Sequence, residues 1–362
     1  MSGKLDNQAT FARDSLGLVA GVGESLTAFD QARSGAEATD LRWSPGSFAN
    51  VAICGMGGSA IAADLVTGAY RDRLRKPVAV LRDYYVPGWL GSDTLVVLSS
   101  YSGETEETLT AASQATERDA PCVAITSGGK LDGHYREMGI PIIELPPGLQ
   151  PRAALLRLLV PLVVVLSRLE VIPDASSDLD DARRMIEASI AANGPEVPTA
   201  DNHAKQLAEQ LLDTVPIVWG AEITAAVAQR WKGQINENAK APAYWGVLPE
   251  VDHNEICGFA GMGKLGPLSR LIMLREPHQH RQVNRRFSLT RELVEEHVGG
   301  VIEVGAEGET ALGRAIDLVM LGDYASLYLG LLREVDPGPV EVIQQLKGRL
   351  AETGYGRIPD PD

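Results

Sequence analysis

Cysteine is scarce: the 362 residues include three, Cys54, Cys122 and Cys257, far apart in sequence. That spacing excludes a disulfide framework and a cysteine-based zinc site. Cys54 and Cys122 lie in apolar runs, where a thiol serves as small core filling. Positive charge is also in deficit. A formal balance of −15 argues against nucleic acid or an anionic membrane as partner, because both select basic surfaces. It leaves a phosphorylated small molecule open, since a local cradle of backbone N–H groups holds phosphate inside an acidic surface. A long apolar run is missing too: the most apolar stretch, residues 153–169, is broken by Arg157, Pro161 and Arg168 and falls short of a membrane span. The first residues show no apolar segment behind basic ones, so no secretory signal is expected and the protein is expected to be cytoplasmic. His278 and His280 sit among Arg275, Arg281 and Arg285 with no third ligand nearby, which reads as solvated surface or a dimer contact and not as a metal site.

What is present is the composition of a globular protein, 44% hydrophobic and 22% charged, long enough for two domains. Short β-branched runs alternate with helical segments, the pattern of an α/β fold with parallel sheets. Strands are expected at residues 49–54, 78–82, 94–99, 122–126 and 141–145, with helices at 59–70, 104–118 and 152–169. Residues 172–202 are polar and read as a helical connector. A second α/β unit follows, with strands at 215–220, 271–274 and 300–304 and a helix at 223–236. A charged helix runs through Arg291, and helices at 310–332 and 339–350 close the chain. The expected organisation is an N-terminal helical segment (1–35), a first domain (36–170), a connector (171–200) and a second domain (201–362). Trp219, Trp231 and Trp245 are expected in the core or interface of the second domain, and the tail from Glu352 is expected to fray.

Two loops at strand ends carry chemistry. Gly55-Met56-Gly57-Gly58-Ser59-Ala60 follows a buried strand and opens a helix, so its glycines let backbone N–H groups approach a ligand. The string also satisfies Gly-x-Gly-x-x-Ala, and Asp83 follows the next strand, so an NAD-type dinucleotide enzyme is one reading. A tight turn without ligand is another. The second loop, Ser99-Ser100-Tyr101-Ser102-Gly103-Glu104-Thr105, gathers the hydroxyls of Ser100, Ser102 and Thr105 at a helix start, an arrangement suited to a phosphate dianion. Its bland counterpart is a serine cap before an acidic first turn, whose Glu104, Glu106 and Glu107 would repel phosphate unless they point away. In the second half, Gly220-Ala221-Glu222 lacks such a loop, so only the first half reads as a phosphate binder.

The two loops resemble the signature of the sugar-isomerase (SIS) fold, and the chain resembles the bifunctional phosphoglucose/phosphomannose isomerases over nearly its whole length. The resemblance is carried by GMGGS (55–59), SYSGETEET (100–108), QPRAA (150–154), NENAK (236–240), HNEI (253–256), LGDY (321–324) and the stretch 336–350, in that order. It implies two SIS-type three-layer α/β/α domains with parallel sheets and a hexose 6-phosphate substrate, without cofactor or metal. It further implies that Ser100, Ser102 and Thr105 bind the phosphate and that Gly57, Gly58 and Ser59 line the sugar. Glu237 is implied as the base, Arg152 as the enediolate stabiliser, and His253 with Lys347 as ring-opening groups. The implied assembly is a homodimer in which His253 reaches the site of the neighbouring subunit. Gly338, in Asp336-Pro337-Gly338-Pro339, stands where the family pattern has threonine, which leaves glucose against mannose open.

The residue types suit that chemistry. Aldose–ketose isomerisation moves a proton between C1 and C2 through a planar enediolate, and one carboxylate can take it and return it. Negative charge then builds on the two oxygens, where a fixed guanidinium stabilises the transition state preferentially. Hexose phosphates are mostly cyclic, so ring opening needs a proton shuttle, for which imidazole is suited. A non-catalytic sugar-phosphate regulator needs the two loops but not Glu237, Arg152, His253 and Lys347 together. A dinucleotide enzyme has no use for the hydroxyl-rich second loop.

Overall fold

A computed structural model of the chain describes residues 3–352. Three helices, α1 (Gln8–Phe11), α2 (Leu18–Gly23) and α3 (Ser25–Ala38), precede the first sheet. The sheet is built from β1 (Asn50–Cys54), α4 (Gly57–Ala69), β2 (Val78–Leu81), β3 (Thr94–Ser99), α5 (Glu106–Glu117), β4 (Cys122–Thr126), α6 (Gly129–Glu137), β5 (Ile142–Glu144) and α7 (Leu155–Arg168). Helices α8 (Ser176–Asn193) and α9 (His203–Leu211) follow. The second sheet comprises β6 (Val215–Gly220), α10 (Ile223–Asn238), β7 (Tyr244–Val247), α11 (Ile256–Phe259), β8 (Ser269–Arg275), α12 (Arg281–Val294) and β9 (Val301–Gly305). Two helices, α13 (Ala311–Leu332) and α14 (Glu341–Glu352), end the described chain. Glu352 therefore closes a helix, and the rest of the tail expected to fray, 353–362, lies outside the described residues.

The chain forms two compact units, one from Thr27–Ser177 with the chain from Val340, the other from Asp178–Pro339 with the chain up to Leu26. In the Thr27–Ser177 unit five strands, all parallel, run in the order β2-β1-β3-β4-β5. Strands β3 and β4 are buried at every residue, as expected of parallel strands covered by helices on both faces. Residues of one parity, Ala52, Cys54, Val96, Leu98 and Ala124, pack on Leu109 and Ala112 of α5 and on Leu131 and Tyr135 of α6. The pleat turns Val51, Ile53, Val97 and Ile125 to the other face, where α4 packs against α7. From β1 the chain moves outward to β2, and from β3 outward to β4 in the other direction. Such a reversal opens a crevice at the carboxyl ends of the two strands, and both candidate loops lie there.

The Asp178–Pro339 unit has four parallel strands in the order β7-β6-β8-β9. Ile217, Trp219, Leu271 and Met273 face Phe259 and Phe287 on one side. On the other, α10 lies along α13. Helix α13 is long and apolar enough to cross a membrane by composition alone, but 83% of its most apolar stretch is buried in the fold. Its small residues set the contact: a Cβ at Gly322 would stand 2.2 Å from Nε1 of Trp231, and one at Gly330 would stand 2.7 Å from the Asn238 carbonyl. A polar stripe on α10 then fixes the register. Arg230 donates from Nε and a terminal nitrogen to the two oxygens of Asp323 at 2.9 and 2.6 Å, Gln234 donates to the same carboxylate at 2.9 Å, and Asn238 donates to Ser326 Oγ at 2.9 Å. Residues 230, 234 and 238 recur every four, so they share one face of the helix.

The expected strands of the first sheet are observed within a residue or two. Helix α6 and strand β7 were not foreseen. The first is polar, has glycines at 129 and 133, and buries only Leu131 and Tyr135; the second is an edge strand whose Tyr244 and Trp245 are exposed, so neither carries a sustained apolar pattern. Trp219 and Trp231 are core residues, whereas Trp245 is 38% exposed on that edge. Arg152, expected to begin a helix, lies in a 3-10 turn (Pro151–Ala153) before α7. The Arg230 and Asp323 side chains are only 4% and 13% exposed, so Asp323→Ala removes a carboxylate that a buried guanidinium is bonded to. It is expected to lower the unfolding free energy by about 3–5 kcal/mol in a urea titration; a loss below ~1 kcal/mol would show the pair to be screened by solvent.

Candidate active site

The turn after β1 is packed too closely for side chains. A Cβ at Gly55 would stand 2.8 Å from the Ser99 carbonyl, and one at Gly58 would stand 3.1 Å from the Pro151 carbonyl. Gly57 has φ +50° and opens α4 with no side chain capping that helix end, so first-turn N–H groups are presented where an anion is favoured. Ser59 is buried at the foot of the turn.

The turn after β3 is more elaborate. Ser100 Oγ and Thr105 Oγ1 lie 2.9 Å apart, and Ser100 Oγ also accepts from the Gly103 N–H at 3.1 Å. Ser102 is exposed on the turn, where its Oγ accepts from the Glu104 N–H at 3.2 Å. Gly103 has φ +66°, and a Cβ there would meet the Gly128 carbonyl at 1.8 Å; Gly129 has φ +72° and faces the Ser102 carbonyl in the same way. The two turns interlock, so glycine is the residue that fits both. The acidic side chains are engaged elsewhere. Glu104 caps α6 by accepting from the Lys130 N–H at 2.9 Å, and Glu106 accepts from the Tyr84 hydroxyl at 3.1 Å. Burial first, then Glu106, pushes the Tyr84 phenol up to about 12, so it stays a donor.

Tyr101, in the middle of that turn, was not singled out in the sequence. Its ring is buried and its hydroxyl donates to the Pro146 carbonyl at 2.8 Å while accepting from the Leu149 N–H at 3.0 Å and from Arg157 at 3.3 Å. It therefore ties the hydroxyl turn to the segment leading into Arg152. Arg152 is 5% exposed, and its Cα would lie 4.0 Å from a Cβ on Gly58, so its backbone runs beside the first turn. Lys347 is exposed on α14, assigned to the same unit.

Glu237 and His253 belong to the Asp178–Pro339 unit. Glu237 is half-buried in the last turn of α10. The flanking amides hold the chain on either side of it: Asn236 Nδ2 donates to the Ala241 carbonyl at 2.8 Å, and Asn238 to Ser326. Lys240 Nζ donates to the Glu237 carbonyl and, at 3.2 Å, to that of Pro337; Arg333 donates to the Ala239 carbonyl at 3.0 Å. Gly338 has a packing reason, because a Cβ there would stand 2.7 Å from Leu16 Cγ. His253 is exposed at the end of a 3-10 turn (Glu250–His253). The turn after β6, which lacks the glycine–serine pattern, is filled by its own side chains: Thr224 Oγ1 accepts from the Ala221 N–H at 2.8 Å, and Glu222 accepts from the His280 N–H at 3.1 Å. His280 in turn caps α12 through Nδ1, and His278 is exposed.

Family models match both halves, the SIS domain over residues 49–131 and the bacterial phospho-glucose isomerase C-terminal SIS domain over residues 200–350. The chain is thus an isomerase of the two-SIS-domain class. A bifunctional phosphoglucose/phosphomannose isomerase of Caldicellulosiruptor bescii is 40% identical over 83% of this chain and 89% of its own length. One of Aquifex aeolicus is 36% identical over 84% and 91%. The chain belongs to the bifunctional phosphoglucose/phosphomannose isomerase family. Among solved structures, a glucose-6-phosphate isomerase like protein from Thermus thermophilus shares the fold with a TM-score of 0.62 at 22% identity, covering 92% of this chain and 97% of that one.

Tyr101→Phe removes one hydroxyl and leaves the Leu149 N–H and the Arg157 guanidinium short of a partner. A loss of about 1–3 kcal/mol in unfolding free energy is expected by denaturant titration. A loss below ~0.5 kcal/mol would show that Pro146 and Arg157 hold the segment without it.

Proposed function

We propose that the protein interconverts glucose 6-phosphate or mannose 6-phosphate with fructose 6-phosphate through a cis-enediolate, with neither metal nor redox cofactor. The observation that carries the reading is the Ser100–Thr105 hydroxyl pair at the crevice between β1 and β3. It lies in a turn whose glutamates bond to Lys130 and Tyr84. Membership of the isomerase family supports the substrate class.

Ser100, Ser102 and Thr105 take the 6-phosphate, whose oxygens accept from hydroxyls and turn N–H groups. Gly57, Gly58 and Ser59 line the sugar. Glu237 removes the proton from C2 of the aldose and returns it to C1, and Arg152, rigid because it is buried, neutralises the enediolate oxygens. His253 and Lys347 exchange protons with the ring oxygen and the 1-hydroxyl to open the pyranose. His253 acts across the interface of a homodimer, and the enzyme works in the cytoplasm.

Fructose 6-phosphate formation from each aldose phosphate, followed in a coupled assay with EDTA present, tests the reaction. Glu237→Gln is expected to lower kcat by about 10²–10⁴-fold with KM little changed, since it removes the general base and keeps the shape. Turnover that survives Glu237→Gln would remove Glu237 from the chemistry, and turnover abolished by EDTA would overturn the metal-free reading. Folded protein that binds both sugars without converting either would leave a sugar-phosphate regulator as the better account.

A further inference from the structure

His253 stands on a surface turn without a strand or long helix of its own. An acid–base group must be held to within a fraction of an ångström to act efficiently. His253, Asn254 and Glu255 are all exposed, and α11 beyond them has four residues. Inside the turn, Asn254 donates from Nδ2 to Glu250 at 2.8 Å and accepts the Glu255 N–H at 2.6 Å. These bonds shape the turn but attach it to nothing else.

Val251, earlier in the turn, is buried in the core beside Trp219, and polar attachment comes from the residues on either side of the histidine. Asp252, before it, accepts from Arg286 at 2.9 Å and from Thr290 Oγ1 at 2.8 Å. Those two residues lie four apart on α12, and Thr290 is buried. Glu255, after it, turns inward, and its Oε1 accepts from Trp219 Nε1 at 3.1 Å. Trp219 is wholly buried on β6. Its ring sits edge-on to Phe259 with centroids 5.2 Å apart, and a Cβ at Gly246 would approach it to 2.9 Å. An indole so enclosed cannot shift to follow a partner, and its single donor is costly to leave unmade. Partial burial raises the Glu255 carboxyl above its ordinary range while the indole bond opposes that rise, as for a side chain drawn from solvent toward the core.

We infer that Glu255 is a positioning residue for His253, tethering its turn to the rigid indole of Trp219, with Asp252 supplying the opposite tether to α12. The inference rests on the reading of His253 as a ring-opening group. A glutamate exposed at the surface has no need of a buried indole donor, and the neighbouring Glu250 bonds only within the turn among the contacts described.

The test uses the full-length protein with Glu255→Ala, Glu255→Gln, Trp219→Phe and the double variant Glu255→Ala/Trp219→Phe. Glutamine keeps a carbonyl to accept the indole proton, whereas alanine and phenylalanine each remove one side of the bond. Amide hydrogen exchange across residues 250–259, read without substrate, is expected to rise about tenfold or more in Glu255→Ala and in Trp219→Phe. It should rise no further in the double variant and stay at the parent level in Glu255→Gln. In the isomerase assay kcat should fall about 10- to 100-fold in the same three variants, with KM within about twofold, and Glu255→Gln should restore it. Unchanged exchange in Glu255→Ala overturns the tether whatever the activity. Faster exchange with an unchanged kcat overturns the positioning role. Absence of isomerase activity in the parent protein overturns the functional reading instead, and exchange then still decides whether the tether exists.

Discussion

The buried contact between Arg230 and Asp323 is the constraint on which the Asp178–Pro339 unit depends. A guanidinium and a carboxylate withdrawn from water require each other, and their two-pronged geometry admits one register of α10 on α13. Gly322 and Gly330 bring the helices close enough for the bond to form, and Trp231 fills the space opposite Gly322. The same register carries Asn238 to Ser326 and sets the end of α10, where Glu237 stands. A core polar bond is thereby also the support of the proposed base. The LGDY segment combines the glycine of close approach with the aspartate of the ion pair, which accounts for its place among the marks of resemblance.

In the Thr27–Ser177 unit the corresponding constraint is steric. Gly103 and Gly129 face each other's turns at distances no side chain tolerates, so the hydroxyl turn after β3 and the glycine turn after β4 take shape together. Tyr101 extends that order to the segment before Arg152. The result reconciles an acidic chain, 48 carboxylate against 33 basic residues, with the proposed anion site. Glu104 and Glu106 lie in the turn by sequence, but their charges are spent on the start of α6 and on Tyr84. In the proposed site a phosphate would meet hydroxyls and N–H groups, whose dipoles act over a few ångströms regardless of net charge.

Much of this was legible beforehand. Strands β1, β3 and β4 are uniform apolar runs bounded by Gly, Ser and Pro, a pattern set by burial on both faces. The loops GMGGS and SYSGET announce themselves because glycine and hydroxyl residues at a strand end are local, dense signals. β7 and α6 were not legible, since an exposed edge strand shows no apolar alternation and a short polar helix that buries only Leu131 and Tyr135 gives too brief a pattern to detect. The role of Tyr101 was hidden for another reason: its partners lie 45 to 56 residues along the chain, beyond any local pattern.

By itself the sequence determined the kinds of residue available at each strand end, the alternation that makes two parallel sheets, and the family. Those properties are encoded locally, in composition and spacing. Tertiary structure alone decided the direction of each side chain: that Ser100 meets Thr105, that Glu104 turns to α6, that the amides of Asn236 and Asn238 hold backbone and a hydroxyl, and that Glu255 reaches the indole of Trp219. A side chain's direction follows from the packing of elements distant in sequence, where steric exclusion and the cost of unpaired buried polar groups leave one arrangement.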